Sequence, residues 1–172
     1  MVTGLKQNSS TIIISGSTVE GAANTYQQLE LPLTLNVLDR EVFVVTAIDL
    51  NMSLPDADAA NNETIVTGSL SSTSRLTVGT IADTNVFGAG RNVIVSDVAL
   101  NLPVGIFSDS STESPHAQLD YVAIIATNNF FAQIAGTGNT RVKAIDFRVW
   151  GYRAIANADV FAALTQSELL SA

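Results

Sequence analysis

The chain contains one histidine, His116, which is the first residue to consider as a catalytic base. A Ser–His–Asp triad would depend on it, yet no G-x-S-x-G segment is present to display a serine nucleophile. A cupin-like metal centre needs several histidine ligands, and cysteine is absent from the chain. We therefore expect His116 to be a surface residue in the polar segment 108–116, and we expect neither enzymatic activity nor a cofactor.

The acidic segment 56–63 is a second place where chemistry could occur, because it contains Asp56, Asp58 and Glu63 beside two asparagines. Carboxylate and amide oxygens are the ligands that calcium prefers. The spacing differs from that of an EF-hand loop, which has glycine at its sixth position and glutamate at its twelfth. We expect a solvated acidic loop and no metal site, with calcium binding as the open alternative.

Residues 140–154 carry a row of side chains typical of a protein interface. In an extended chain, Arg148, Trp150 and Tyr152 lie on one face. The opposite face is continuously apolar if a β-bulge lies near residues 144–145. Arginine, tryptophan and tyrosine are enriched at interfaces, so the row is a candidate contact between subunits. The alternative is that a C-terminal helix covers the row within the same subunit.

The elements that must position these residues are mostly strands. Residues 40–54 alternate so that every second residue from Val42 to Leu54 lies on one almost entirely apolar face. This pattern predicts a long central strand with one continuous apolar stripe that a second layer must cover. Residues 27–37 alternate in the same way, and Pro32 indicates an edge position or a bulge there.

Several further segments have strand character. Residues 119–127 are apolar on both faces, which predicts a strand buried on both sides, for example between the core and a neighbouring subunit. Phe130 and Phe131 follow in a hairpin partner and are two more interface candidates. Two other strands are predicted over residues 64–72 and 75–81.

The strand count and the turn spacing define the fold class. Residues 100–107 form another predicted strand, in which Pro103 marks an irregular or edge position. About eight strands separated by turns every 8–12 residues indicate an all-β protein, a single jelly-roll sandwich with a short C-terminal helix. We divide the chain into a flexible N-terminal segment with a short strand (1–26), the jelly-roll domain (27–156) and the C-terminal helix (157–172).

Composition limits the possible partners. The chain has 172 residues, of which 47% are hydrophobic and only 14% charged, with a net charge of −8. A surface so poor in charge suits burial against other subunits, and it also suits a secreted β-protein. The acidic balance argues against broad nucleic-acid binding. No apolar run is long enough for a membrane span, and the N-terminus lacks the apolar centre of a signal peptide, so we expect assembly in the cytoplasm.

Four stretches resemble a known class of protein. They are L-P-L-T-L-N-V-L-D-R-E-V-F-V-V-T-A-I-D-L, S-L-S-S-T-S-R, L-D-Y-V-A-I-I-A-T-N-N-F-F and the ending R-V-W-G-Y-R-A…L-T-Q-S-E-L-L. Together they resemble small single jelly-roll capsid proteins of environmental, mostly marine, tailless viruses. The resemblance runs from Leu31 to the C-terminus and includes no catalytic motif. It implies a major capsid protein that assembles with copies of itself into a symmetric shell and resides in the virion.

One departure from that class concerns the genome. Many small-virus capsid proteins carry an arginine-rich arm, whereas residues 1–39 contain only Lys6 as a basic residue. We therefore expect no direct genome condensation, and other capsid or spike proteins and an internal membrane are further candidate partners. The alternative function is a receptor- or carbohydrate-binding β-sandwich, in which Asp56, Asp58 and Asn62 would serve as loop ligands.

Overall fold

The computed structural model describes residues 4–58, 60–100, 102–110 and 119–170. These residues form strands and one helix, with a 3-10 turn at Val37–Asp39 before the fourth strand. In chain order the elements are β1 (Leu5–Gln7), β2 (Ile12–Val19), β3 (Gln27–Pro32), β4 (Glu41–Met52), β5 (Glu63–Ser71), β6 (Val86–Asp97), β7 (Leu102–Ser110), β8 (Ala123–Ile125), β9 (Asn129–Thr137), β10 (Ala144–Ala156) and α1 (Ala158–Leu170).

The strands form two antiparallel sheets. In sheet A, β10 pairs with β4 along one edge and with β1 and β2 along the other, and β8 lies beyond β4. Sheet B has the order β3-β9-β5-β6-β7. The pairs β2–β10, β3–β9, β4–β8 and β5–β6 are nested, with early strands joined to late ones, and this is the jelly-roll arrangement. The predicted all-β jelly roll with a C-terminal helix is confirmed. Because β2 pairs along most of β10, the sandwich begins before residue 27.

A β-bulge divides β4 into two parts. Val45 lies opposite Gly151 and Ala47 lies opposite Trp150, so Thr46 is the extra residue in the ladder. Its hydroxyl donates a hydrogen bond of 3.2 Å to the carbonyl oxygen of Trp150. An extra residue reverses the alternation of faces. The single apolar stripe predicted for residues 40–54 is therefore wrong, and so is the bulge predicted near residues 144–145, where the pairing is regular.

The reversal gives sheet A an apolar surface on both sides. After the bulge, Ile48, Leu50 and Met52 face the main core between the sheets. Before it, Val42 and Val44 face outward and join a second apolar cluster. That second cluster is covered by one face of α1, formed by Val160, Phe161 and Leu164.

The helix that covers this cluster begins at a side-chain cap. Asn157 Oδ1 accepts a hydrogen bond of 2.8 Å from the backbone N–H of Val160, which satisfies one of the free donors of the first turn. Within the residues that the structure describes, no helix has the length and apolar character needed to span a bilayer.

The β5–β6 connection folds over the outer face of sheet B. The sequence predicted a strand over residues 75–81, but this segment is irregular and the prediction is wrong. The connection is held by buried polar groups: Ser69 Oγ donates to Gln133 Oε1 at 2.7 Å and accepts from the backbone N–H of Gly79 at 2.9 Å. Gln133 Nε2 also donates to Ser71 Oγ at 2.7 Å. Ser69, Ser71 and Gln133 are fully buried beneath the connection.

The bulge geometry leaves no room for a side chain at Gly151, and this can be tested by substitution. A Cβ at this position would lie 2.6 Å from Phe43 Cζ and closer still to the carbonyl oxygen of Val44, which is backbone and cannot move aside. Gly151→Ala should therefore lower the free energy of unfolding by about 1–3 kcal/mol, the usual cost of overpacking. Urea denaturation followed by circular dichroism measures this. Gly21→Ala is the matched control, since its Cβ would meet only Gln27 Oε1 at 3.9 Å. Equal stability of the two variants would contradict this account of the bulge.

Candidate assembly surface

Asp56 lies at the centre of a network of hydrogen-bond donors, and both of its carboxylate oxygens accept hydrogen bonds. Its Oδ1 accepts a hydrogen bond of 2.6 Å from Lys143 Nζ. Its Oδ2 accepts three more, from the N–H and hydroxyl of Thr140 and the N–H of Arg141, at 2.8 to 2.9 Å. The Lys143 hydrogen bond is the main reason that the pKa of Asp56 lies well below its usual range. The carboxylate therefore joins the segment after β4 to the β9–β10 connection.

This network bears on the calcium and lectin alternatives. Lys143 already supplies the positive charge beside Asp56, and its ammonium also donates to the carbonyl oxygen of Leu54 at 3.0 Å. The carboxylate of Asp58 bonds the side chain of Asn61 and the N–H of Ala60. Across the described ranges, no group of three or more His, Cys, Asp or Glu side chains could hold a metal ion. His116 lies outside the described residues.

The predicted row on β10 is divided by the C-terminal helix. Tyr152 is half-buried and packs against the cluster beneath α1. Arg148 and Trp150 lie beyond the helix on the outer face of sheet A: Arg148 is exposed, and its guanidinium carbon lies 5.7 Å from the centre of the half-buried Trp150 ring. Cover by the C-terminal helix, the second alternative, therefore applies to Tyr152. Whether Arg148, Trp150 and Tyr152 contact a second subunit stays a prediction.

The outer face of sheet A beside Trp150 combines an apolar rim with a polar hollow. Ile13 lies directly opposite Trp150 on β2 and is 58% exposed. The hollow has a volume of about 300 Å³ and contains side chains of both charges; its lining residues are Ser15, Gly16, Asp49, Asn51, Asp146, Phe147 and Arg148. An exposed apolar edge beside polar groups is typical of a contact surface.

Phe130 and Phe131 do not belong to a contact surface. Phe130 is completely buried in the main core, where its ring meets the rings of Phe87 and Phe147 edge-on at 6.0 and 6.2 Å. Phe131 retains only 8% of its exposure. A side chain that is already buried within one subunit gains no further burial from contact with a second subunit. These two interface predictions are therefore wrong. Strand alternation predicted the strand but could not show which sheet would cover it.

Most of the segment 119–127 is covered from within the subunit, whereas Leu119 and Tyr121 are 56% and 39% exposed. Only Ala123–Ile125 forms a strand, β8, so the predicted strand is too long. It is apolar on both faces as predicted, since Ile125 lies in the main core and Ile124 packs on the cluster under α1. The outer cover is α1 and not a neighbouring subunit.

Glu168, near the end of α1, links the helix to Ala126, directly after β8. The side chain is only 7% exposed, and its Oε1 accepts a hydrogen bond of 3.0 Å from the N–H of Ala126. Its Oε2 is buried without a hydrogen-bond partner among the described residues. Burial raises the pKa of Glu168, because desolvation penalises its charged form. No local pattern in the sequence indicated this contact, because it joins residues 42 positions apart.

Among the described residues, the largest uncovered apolar segment is β7 with the turn before it. Leu102 is 57% exposed, and Val104, Ile106 and Phe107 are each 63% exposed. Both faces of the strand contribute, since these residues include odd and even positions. The sequence predicted a strand over residues 100–107 at an irregular or edge position. It did not predict that the strand would stay uncovered, because that depends on how far sheet A extends.

The Asp56 network makes a prediction about pH. The pKa of Asp56 is lower in the folded protein than its unfolded value of about 3.9, so ionised Asp56 stabilises the fold above about pH 3.9. This stabilisation is lost as the pH falls from that value towards the folded-state pKa. Asp56→Asn should therefore destabilise the protein near neutral pH, and its difference from the natural protein should shrink below about pH 4. Urea denaturation at both pH values measures the two differences. Asp49→Asn, on the exposed outer face, is the control. A difference that stays constant with pH would contradict the assignment.

Comparison with known proteins adds little to this description. No protein-family model and no curated protein matches the chain. A solved structure titled Desmodium yellow mottle tymovirus is 14% identical, and the alignment covers 88% of this chain and 93% of that chain with a TM-score of 0.31. A TM-score this low carries no argument, so the jelly-roll assignment rests on the strand pairing of the chain itself.

Proposed function

We propose that this protein is a viral major capsid protein, a structural subunit that assembles in many copies through lateral contacts. The observation that carries the proposal is the uncovered apolar segment from the β6–β7 turn through β7. The largest apolar patch on a soluble monomer is usually about 300–600 Å², and such a patch is often a functional contact surface. A subunit that is buried among copies of itself would cover such a patch.

Two features of the chain support this role. Its charged fraction is 14%, and charge is depleted at the centres of interfaces. Three ionic side chains make their contacts within the subunit. Asp56 and Lys143 join two connections, and Glu168 links α1 to Ala126. The proposed location is the virion, after assembly in the host-cell cytoplasm.

The genome would be neutralised by another component. The described N-terminal residues contain Lys6 as their only basic side chain before Arg40, and the chain carries a net charge of −8. Binding to a nucleic-acid backbone relies on lysine and arginine at the phosphates. A separate basic protein or an internal membrane would fill that role, and other capsid or spike proteins would join the shell.

A receptor- or carbohydrate-binding sandwich is the second candidate, supported by one observation. The polar hollow on the outer face of sheet A is lined by Asp49, Asn51, Asp146 and Arg148, among others. Trp150 lies two residues after Arg148 along β10. An aromatic ring beside carboxylate and amide groups can bind a polar ligand that has an apolar face. This candidate predicts a stable monomer that binds a glycan or receptor.

Light scattering and electron microscopy of the purified protein separate the two. A shell protein should form large symmetric oligomers or closed particles, with a population that grows with protein concentration. Salt should be varied, because apolar contacts persist or strengthen at ionic strengths that screen surface charges. A single 18.1 kDa species at every concentration and salt condition would overturn the capsid proposal.

Two substitutions on β10 test whether the predicted row takes part in assembly. Trp150→Ala should reduce assembly, because truncating an interface tryptophan often costs about 2 kcal/mol or more. Its thermal melting should change little, since Trp150 lies outside both apolar clusters. Tyr152→Ala should instead lower the free energy of unfolding by about 1–3 kcal/mol, because it removes a contact beneath α1. A Trp150 variant that melts normally and assembles normally would exclude this residue from the interface.

A further inference from the structure

The outer edge of β7 has no strand paired with it in the part of the chain that the structure describes. Of the strands that the structure describes, only β6 pairs with β7, so the backbone N–H and C=O groups on its other edge have no strand partner. An open edge is a template for another strand. The edge is nine residues long, which is longer than the typical strand of five or six residues.

The usual protections against edge pairing are concentrated at one end of β7. Pro103 lacks a backbone donor, and Val104 is bulged, since Gly105 lies opposite Val95 and Pro103 lies opposite Ser96. Beyond the bulge, no lysine, arginine or proline follows as far as Ser110. Asp109 is the one charged residue of the strand, and it lies opposite Arg91 of β6. The part from Gly105 onwards is therefore free to pair.

The apolar area at this edge is large enough for a specific contact. Val98 and Leu100 in the turn before β7 are 47% and 65% exposed and extend the apolar segment to six side chains. At roughly 100 Å² for each fully exposed side chain, they leave on the order of 300 Å² of apolar surface in water. A standard interface buries about 800 Å² on each partner, a little over half of it apolar. The segment supplies most of that apolar share.

We propose that β7 pairs antiparallel with β7 of a second copy across a two-fold axis, which joins the two B sheets into one continuous sheet. The inference rests on the proposed function and names one of its lateral contacts. A two-fold contact uses the same surface on both subunits, so the strand must complement itself. β7 meets this condition: its centre is apolar and uncharged, and its one carboxylate lies away from the centre.

The position of the axis follows from charge and the bulge. In an antiparallel two-fold pair, only the residue on the axis faces its own copy. An axis at Asp109 would place two carboxylates opposite each other, which is unfavourable. An axis at Pro103 or Val104 would fall on the irregular part of the strand. The favoured axis therefore lies within Ile106–Ser108, where Asp109 faces an uncharged residue.

The absence of native cysteine makes a direct test possible, because an introduced thiol can pair only with its own copy. Residues 105–109 are changed to cysteine one at a time, and each variant is oxidised under assembly conditions. A disulfide needs Cα atoms within about 7 Å. Residues facing each other on the axis are about 5 Å apart, whereas copies of a residue two positions away are roughly 14 Å apart.

We expect one sharp maximum of disulfide-linked dimer at Ile106, Phe107 or Ser108, several-fold above the positions two residues away. Ser15→Cys, on an exposed position of β2 at the edge of sheet A, is the control and should crosslink weakly. Equal crosslinking at all positions, a maximum at Asp109, or a β7 signal no stronger than that of Ser15→Cys would overturn the inference. Circular dichroism melting checks that each variant is folded.

A charge substitution gives an independent test. Ile106→Lys should reduce dimer formation at least several-fold, whereas Leu54→Lys introduces the same charge at a similarly exposed apolar residue, 60% against 63%, and should leave the β7 dimer unchanged. Particles that form without β7 crosslinks would overturn the inference and leave the capsid proposal standing. Crosslinked dimers without larger particles would support the β7 contact and count against a shell. Neither dimers nor particles would overturn both.

Discussion

The bulge at Thr46 is the constraint on which the rest of the structure depends. It lies where β4 and β10, the two central strands of sheet A, pair along most of their length. Before the bulge β4 presents Val42 and Val44 outward, and after it the strand presents Ile48 and Leu50 inward. Gly151 permits this geometry, because the Val44 carbonyl and the Phe43 ring occupy the space of a Cβ. In a regular strand, Phe43 and Val45 would lie on the face opposite Ile48 and Leu50, and they could not share one core with them.

The position of α1 follows from this reversal. The outward valines must be covered, and the helix covers them with an apolar face that starts at its Asn157 cap. Near the far end of α1, Glu168 accepts a hydrogen bond from the backbone N–H of Ala126, and burial raises the pKa of this carboxyl. Because the helix covers only this part of the sheet, Trp150 and Arg148 remain on the uncovered part. The same bulge thus separates the part of this outer face that α1 covers from the part that stays exposed.

The two faces of sheet B are covered in different ways. Its inner face packs on sheet A, and part of its outer face lies under the β5–β6 connection, which bonds to Ser69 and Gln133. Buried side-chain amides and hydroxyls are favourable only when their hydrogen bonds are made, so this cover fixes one position of the connection. Among the residues that the structure describes, nothing comparable covers β7, whose exposed groups include apolar side chains and an edge without a strand partner. An unsatisfied edge of that kind is better suited to another strand than to water.

Much of the architecture was determined by the sequence, because strand alternation, turn residues and helix caps are local properties. They were enough for the jelly roll, for the edge character of the strand containing Pro103, and for a helix starting near Asn157. Tertiary structure decided which face each apolar residue occupies and what covers it. One extra residue at Thr46 exchanged the faces of β4, and pairing between distant strands placed Phe130 in the core while leaving Phe107 exposed. Alternation shows that two faces differ, but burial depends on the layer packed against each face, and that layer comes from remote parts of the chain.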